Sequence, residues 1–419
     1  MYRFALLALA PLTIAALLLA APGDDPAIAT QAPTEPMAIN VKDFGAVGDG
    51  IADDTEAVQR AIDATAWTKR RDPKAVTATK VVFPPGHYRI TESLLLSSPK
   101  KGHNRIVLEG SGGVDTFGAG PLSGKNRMPR AVSQLVWDGP EGGNLVDIWG
   151  LGGLIVRDLG LIGSNKAGVL LRVNSPRGSG GGRYTFYNVV FADAKTGVET
   201  GSDTTINSAD MTLYDCLFHA LDIGFHTRTG QNVDYAFIRN HLRNCKTGFY
   251  FEKGGNVYAA LPTFIKCRLG IRIDRGGNNV GGFAFDGLHI EQGPYTILDC
   301  NGSASVFISG MSPQNQRRSR EGGYTGPLFE LSDGANVVVI GSNITNHPIA
   351  HIEAARSTAF LQMTNCKFGG IPGMSSDPRL EGNIVVKGEK AGFEVKNSFV
   401  AGGFLREYGK YPPEPKPVK

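Results

Sequence analysis

The stretch Lys42-Asp43-Phe44-Gly45-Ala46-Val47-Gly48-Asp49-Gly50-Ile51-Ala52-Asp53-Asp54-Thr55 decides how the rest of the chain is read. Its three glycines permit tight turns, and its four aspartates offer side-chain acceptors to turn backbone. A helical pattern follows at once, Glu56-Ala57-Val58-Gln59-Arg60-Ala61-Ile62-Asp63, with Val58, Ala61 and Ile62 on one face. Asp53 is the expected N-cap, and Glu56 three residues later completes a capping-box spacing. The aspartates read either as turn and cap acceptors or as a metal or catalytic carboxylate site. The first reading leads, because each acid has a local task.

The same wording resembles the opening motif of the pectate-lyase-like, rhamnogalacturonase/epimerase-like proteins. There a strand, an FGAxGDGxxDDT turn and a helix cap a right-handed parallel β-helix. Val81-Val82-Phe83-Pro84-Pro85-Gly86-His87-Tyr88-Arg89-Ile90 resembles that family's next block. Ile106 to Gly110 and Leu154 to Leu161 resemble its following rungs, and the likeness runs from about residue 39 to 175. It implies an all-β solenoid with an N-terminal capping helix, and it implies much less about the reaction.

A repeat legible without the family supports that fold. An apolar residue, five positions, then Gly and another apolar residue recur at Ile162…Gly168-Val169, Phe191…Gly197-Val198, Phe218…Gly224-Phe225, Leu242…Gly248-Phe249 and Phe264…Gly270-Ile271. Ile290…Thr296-Ile297 follows, with Thr in the glycine place. A period in the twenties, with short strands and no long helical pattern, means stacked β coils. The leucine–asparagine signature of a leucine-rich repeat is missing. Later segments, Val337 to Ile344 and Phe360 to Phe368, continue the strand and Asn/Cys turn habit, so residues 39–405 form one expected domain.

Glycine is frequent, 55 of 419 residues, as many tight turns require, while a net charge of +4 gives no attraction to nucleic acid. The apolar run from Phe4 to Ala20 after Arg3, with Ala27-Ile28-Ala29 behind it, reads as a signal peptide over 1–29 and argues against stable membrane insertion. Residues 30–38 read as a Pro-rich linker and 406–419 as a disordered Pro/Lys tail. The expected location is secreted, periplasmic or cell-surface. Five scattered cysteines, an odd number, show no zinc-type spacing. Cys245 and Cys267 each stand three before their glycine, so a stacked thiol pair is expected, with a disulfide in reach in principle.

Alternation assigns faces. The residues after each glycine, Val169, Val198, Phe225, Phe249, Ile271 and Ile297, point inward. Leu170, Glu199, His226, Tyr250, Arg272 and Leu298 then form one outward column, and Arg172, Gly201, Arg228, Glu252, Asp274 and Cys300 a second. Glu252 and Asp274 on adjacent coils are candidate catalytic carboxylates or a Ca²⁺ pair, the only cofactor expected. Arg228 and Arg272 suit uronate carboxylates or a basic catalytic role. Glu199, His226 and Tyr250 complete the patch as substrate-binding residues, and a solvated face of cross-coil ion pairs is the plain alternative. Asp286 and Glu291 beside a turn, and Arg317 and Arg318 in the loop Ser312 to Glu321, are further binding candidates.

Polygalacturonases, relatives by fold, carry Asn-Thr-Asp, Asp-Asp, Gly-His-Gly and Arg-Ile-Lys. Here the places before each strand hold Lys195-Thr196, Asp222-Ile223, Lys246-Thr247 and Arg268-Leu269, and the nearest match to the last motif is Arg272-Ile273-Asp274. Only Asp222 is acidic, which argues against their inverting mechanism. The expectation is a secreted protein that cleaves an acidic, pectin-like polysaccharide by lyase or hydrolase chemistry. The alternatives are a non-catalytic glycan-binding or surface-structural β-helix and a uronate epimerase. The expected partner is the polysaccharide, and a homotrimer is among the assemblies that β-helix relatives in phage tailspikes suggest.

Overall fold

The computed structural model describes residues 38–65, 80–97, 100, 105–112, 131–176, 182–201, 206–229, 232–274, 282–291, 296–314, 326–344, 348–369, 384–400 and 403–412. The expected signal peptide, residues 30–37 of the expected linker, Arg317 and Arg318 lie outside these residues, as do residues 413–419 of the expected tail. Among the described residues, no helix is long and apolar enough to cross a membrane.

The chain winds as a right-handed parallel β-helix whose coils each contribute strands to three sheets. The first sheet begins with Ala38–Asn40 and Lys80–Val82 and runs to Ala391–Val400. The second contains Gly86–Ile90, Ser133–Trp137, Gly160–Ile162, His241–Arg243, Thr263–Ile265 and His289–Glu291. The third contains Leu94–Ser97, Asn144–Trp149, Thr247–Phe251, Leu269–Ile273, Thr296–Cys300, Phe329–Ser332 and Ala350–Glu353. Two long strands, Val190–Thr200 and Leu217–Thr227, pass round the corner and serve the second and third sheets in turn.

The corner between the first and second sheets explains the recurrence of Asp, Asn and Gly. One residue there stands in left-handed backbone, as at Asn188 (φ 54°), Asp215 (φ 51°) and Gly287 (φ 63°). Short polar side chains and glycine tolerate that region best. The glycines before the third-sheet strands have a different cause. A Cβ on Gly224 would stand 2.6 Å from the carbonyl oxygen of Gly248, and one on Gly248 would stand 2.7 Å from that of Gly270. The coils touch backbone to backbone along this line.

Inside, the apolar faces of all three sheets meet in one continuous column. Phe191 and Phe218 stack with centroids 5.0 Å apart, and Phe237 lies 4.8 Å from Phe225 and 4.6 Å from Phe249. All five cysteines are buried and unbridged. Cys245 and Cys267 stand as the stacked thiol pair, each Sγ donating to the carbonyl two residues before it, Arg243 and Ile265 respectively.

The first coil is closed differently from the expected capping box. The helix Thr55–Asp63 begins at Asp54, whose side chain makes no cap bond to the helix, and Glu56 pairs instead with Arg60 at 2.8 Å. Asp54 is buried and accepts the backbone N–H groups of Val47 and Gly48 at 2.6 and 3.0 Å, pinning the glycine turn. Asp53 accepts from the Thr55 N–H at 3.0 Å, one residue away from its assigned role. Asp49, Asp53 and Asp54 of the motif are turn acceptors, as the leading reading held for them.

This helix stands where a third-sheet strand would precede Leu94–Ser97. Gln59 reaches the exposed strand edge in place of backbone: its Oε1 accepts from Leu95 N at 2.8 Å, and its Nε2 donates to Leu95 O at 3.1 Å. A bare edge invites pairing with another chain, and this side chain blunts it. Gln59→Leu leaves both Leu95 groups unpaired. It is expected to cost about 1–3 kcal/mol, read as a lower urea midpoint with unchanged slope. At the far end, Gly403–Lys410 folds back antiparallel onto Ala391–Val400, so ordered strand continues past the 405 boundary expected from sequence.

His219 on the second sheet has its ring largely buried, with Nδ1 unpartnered among the described residues. Burial, then the neighbouring Arg243 charge, pushes its pKa down to about 4. Its unfolded value is higher, near 6.5, so the unfolded chain binds the proton better in between. Its contribution is complete above pH 6.5 and is lost as pH falls towards 4. His219→Gln is therefore expected to narrow the gap between urea midpoints measured at pH 7.5 and pH 5.

Candidate active site

Along Thr247–Phe251, Phe249 and Phe251 turn into the core and Tyr250 turns out. Strand pairing carries that register along the axis. Asp147, Arg172, Glu199, His226, Tyr250, Arg272, Asp299, Glu330 and His351 stand in one outward column of the third sheet. A second column stands where these strands end, at Gly201, Arg228, Glu252, Asp274 and Asn301. Each of these donates its N–H to the preceding coil, as from Arg228 to Thr200 O, Glu252 to Thr227 O and Asp274 to Phe251 O.

The structure therefore brings Glu199, His226, Tyr250, Arg272, Arg228, Glu252 and Asp274 together, as the sequence register required. It corrects that register at both ends. Leu171, not Val169, pairs with Val198, so Arg172 takes the place given to Leu170, which is buried. Leu298, not Ile297, pairs with Ile271, so Asp299 takes the place given to Leu298, and Cys300 points into the core with Asn301 in its stead. A one-residue slip exchanges the two faces of a strand. Asp147, Asp299, Glu330 and His351 were missed for this reason or because the repeat was not followed that far.

Asp286 and Glu291 do not join the cluster. Asp286 ends a first-sheet strand and accepts from the Ser309 hydroxyl, while Glu291 ends a second-sheet strand beside Ile265. The geometry gives them separate faces and no shared role.

Within the cluster, contacts fall into two groups. Glu199, nearly buried, accepts from Arg172 Nε at 3.1 Å and lies 3.6 Å from Arg228 Nη1 and 3.9 Å from His226 Nδ1. His226 Nε2 lies 3.2 Å from Glu252 Oε2, which also faces Arg228 Nε at 3.8 Å. One rung on, Arg272 grips Asp274 through Nε at 2.9 Å and Nη2 at 3.2 Å, and the Tyr250 hydroxyl donates to the same carboxylate. The His226 and Tyr250 rings join the groups, stacked 4.5 Å apart at 8°, with the Arg272 guanidinium 4.8 Å from the tyrosine centroid.

Burial lowers the His226 pKa against the opposing pull of Glu199 and Glu252, which favours a neutral imidazole. Burial, then Asp274, raises the Tyr250 pKa and keeps its hydroxyl protonated. Burial also raises the carboxyl pKa of Asp147 and Asp299 in the same column. Glu252, Arg228 and Arg272 remain open to solvent, their side chains 36%, 40% and 41% exposed. Exposed ion pairs contribute little stability. Partly buried ionisable groups with shifted pKa values gather both at functional sites and in structural ion-pair networks.

The expected Ca²⁺ pair does not fit this arrangement. Asp274 turns both oxygens towards Arg272 and Tyr250, and Glu252 faces His226 and Arg228. Calcium needs about six to eight oxygen ligands. Among the described residues, no group of three or more His, Cys, Asp or Glu is arranged to hold a metal.

Three parallel sheets, an N-terminal helical cap and this outward ladder define a parallel β-helix. Residues 38–119 match the family model of rhamnogalacturonase A/epimerase, pectate lyase-like proteins. Over 64 residues the chain is 45% identical to the plasmin and fibronectin-binding protein A of Streptococcus pneumoniae, covering 15% of this chain and 8% of that protein. Over 80 residues it is 39% identical to mannuronan C5-epimerase AlgE6 of Azotobacter vinelandii, covering 18% of this chain and 8% of that one. The chain thus spans under a tenth of the length of these relatives. Among solved structures it resembles the Agl-KA catalytic domain, with a TM-score of 0.53 and 14% identity over 85% of this chain and 69% of the other. It also resembles DFA-IIIase from Arthrobacter chlorophenolicus A6 in complex with DFA-III, with a TM-score of 0.52 and 11% identity over 87% and 94%. Those likenesses concern the fold.

Proposed function

We propose that the third-sheet face cleaves a uronate-containing polysaccharide by β-elimination. The observation that carries this reading is the convergence, on one surface, of an open carboxylate, a protonated tyrosine and two guanidiniums. Arg228 and Arg272 suit the carboxylate of the sugar and the negative charge that develops on it when the neighbouring carbon loses its proton. Glu252, held by His226, takes that proton. The carbon–oxygen bond to the next sugar then breaks as the double bond forms, and the Tyr250 hydroxyl protonates the departing oxygen. Proton exchange with water resets both groups.

Base and acid stand on the same surface, so the proton leaves and the departing oxygen is protonated on one face of the sugar. That geometry favours syn elimination over epimerisation, which needs a proton delivered to the opposite face. Hydrolysis is less well served, since Asp274 is committed to Arg272 and does not face Glu252 across an open gap. The mannuronan named in the matched epimerase relatives supports a uronan as the substrate class. An extracellular polymer as substrate accords with the leader expected over 1–29.

The test is ultraviolet absorbance of unsaturated uronate during incubation with alginate and with polygalacturonate. Rising absorbance with falling viscosity is the expected result. Binding without either signal would replace this reading with a non-catalytic glycan-binding β-helix, and C5 inversion without chain cleavage would replace it with an epimerase.

A further inference from the structure

A groove of about 650 Å³ lies on the outer face of the first sheet, away from the ionisable ladder. Strand pairing puts Ala236, Tyr258, Ala284, Phe307 and Val338 in one outward column along its floor. Tyr258 and Phe307 are 47% and 42% exposed, unusual for large rings in mid-sheet. They stand two rungs apart, about 9.6 Å along the axis, with the small Ala284 between them. One rim is polar: Asp234 accepts from the Asn256 amide, and Ser305 and Asn336 follow on later coils.

Charge separates this groove from the third-sheet site. Among the described residues no lysine or arginine lines it and Asp234 is its only carboxylate, so these residues offer an acidic polymer no counter-charge. Two aromatic faces two rungs apart, with amides and hydroxyls along one side, match a chain of neutral pyranose rings. Ring faces stack on the aromatics, and equatorial hydroxyls reach the rim. We propose that this groove binds a neutral polysaccharide laid along the solenoid axis, independently of the elimination site.

The test is native electrophoresis of the whole protein through gels containing hydroxyethylcellulose, laminarin or dextran, with alginate as the acidic control. At least one neutral glycan is expected to slow wild type and Glu252→Gln equally. The retardation should weaken at least fivefold in Tyr258→Ala/Phe307→Ala and in the rim variant Asn336→Ala, each shown to be folded by its thermal transition. No retardation by any of the three neutral glycans would overturn the proposal, as would equal retardation of the double variant. Loss of self-association in the double variant, seen by light scattering without change in glycan binding, would instead assign the groove to contact between copies.

Discussion

Glu252→Gln is expected to lower the rate of unsaturated-uronate formation by about 10²- to 10⁴-fold, the usual cost of losing a positioned general base. Glutamine keeps the size of the side chain and a hydrogen-bonding partner for His226, so the urea midpoint should barely move. Tyr250→Phe should fall into the same range. It removes the hydroxyl that donates to Asp274 while leaving the ring stacked on His226. The two losses should not multiply in the double variant, because base and acid serve one concerted passage. If both single variants keep wild-type absorbance rates, the elimination site lies elsewhere.

Phe237→Ala should give the largest loss of stability. The ring is fully buried and touches Phe225 and Phe249 at 4.8 and 4.6 Å, with Phe251 at 6.4 Å, so it ties two successive coils together across the core. Its removal forfeits the transfer free energy and leaves a cavity that rigid stacked coils close poorly. A cost of about 3–5 kcal/mol is expected, measured as a shift in urea midpoint. Phe237→Leu should recover most of it.

The opening motif and the glycine repeat were enough to read the architecture, because both report local backbone needs: turns that require glycine and coils that touch at glycine. The middle of the candidate site was legible for the same reason, since Gly197, Gly224, Gly248 and Gly270 hold one register. The ends were not. From Leu161, which pairs with Phe191, to Leu171, which pairs with Val198, the chain takes a longer path through Ser164 and Asn165, both in left-handed backbone. Between Ile290 and Leu298 there is one residue more than between Phe264 and Ile271. Corner lengths of this kind leave no mark in an apolar periodicity, yet they decide that Arg172 and Asp299 join the outward column. The capping error has a similar root: adjacent Asp53 and Asp54 are chemically equal, and only the folded turn gives the buried, N–H-gathering position to Asp54.

The cysteines acquire a use once their positions along the axis are considered. Cys216, Cys245, Cys267, Cys300 and Cys366 are all buried and unbridged, the first four on successive coils and Cys366 further along the axis. A solenoid holds itself together through neighbouring coils alone, so its ends can open while its middle stays shut. A thiol is silent to a labelling reagent until its own coil opens. The chain therefore carries a graduated scale, on which the order of labelling records whether the stack peels from one end or parts in the middle.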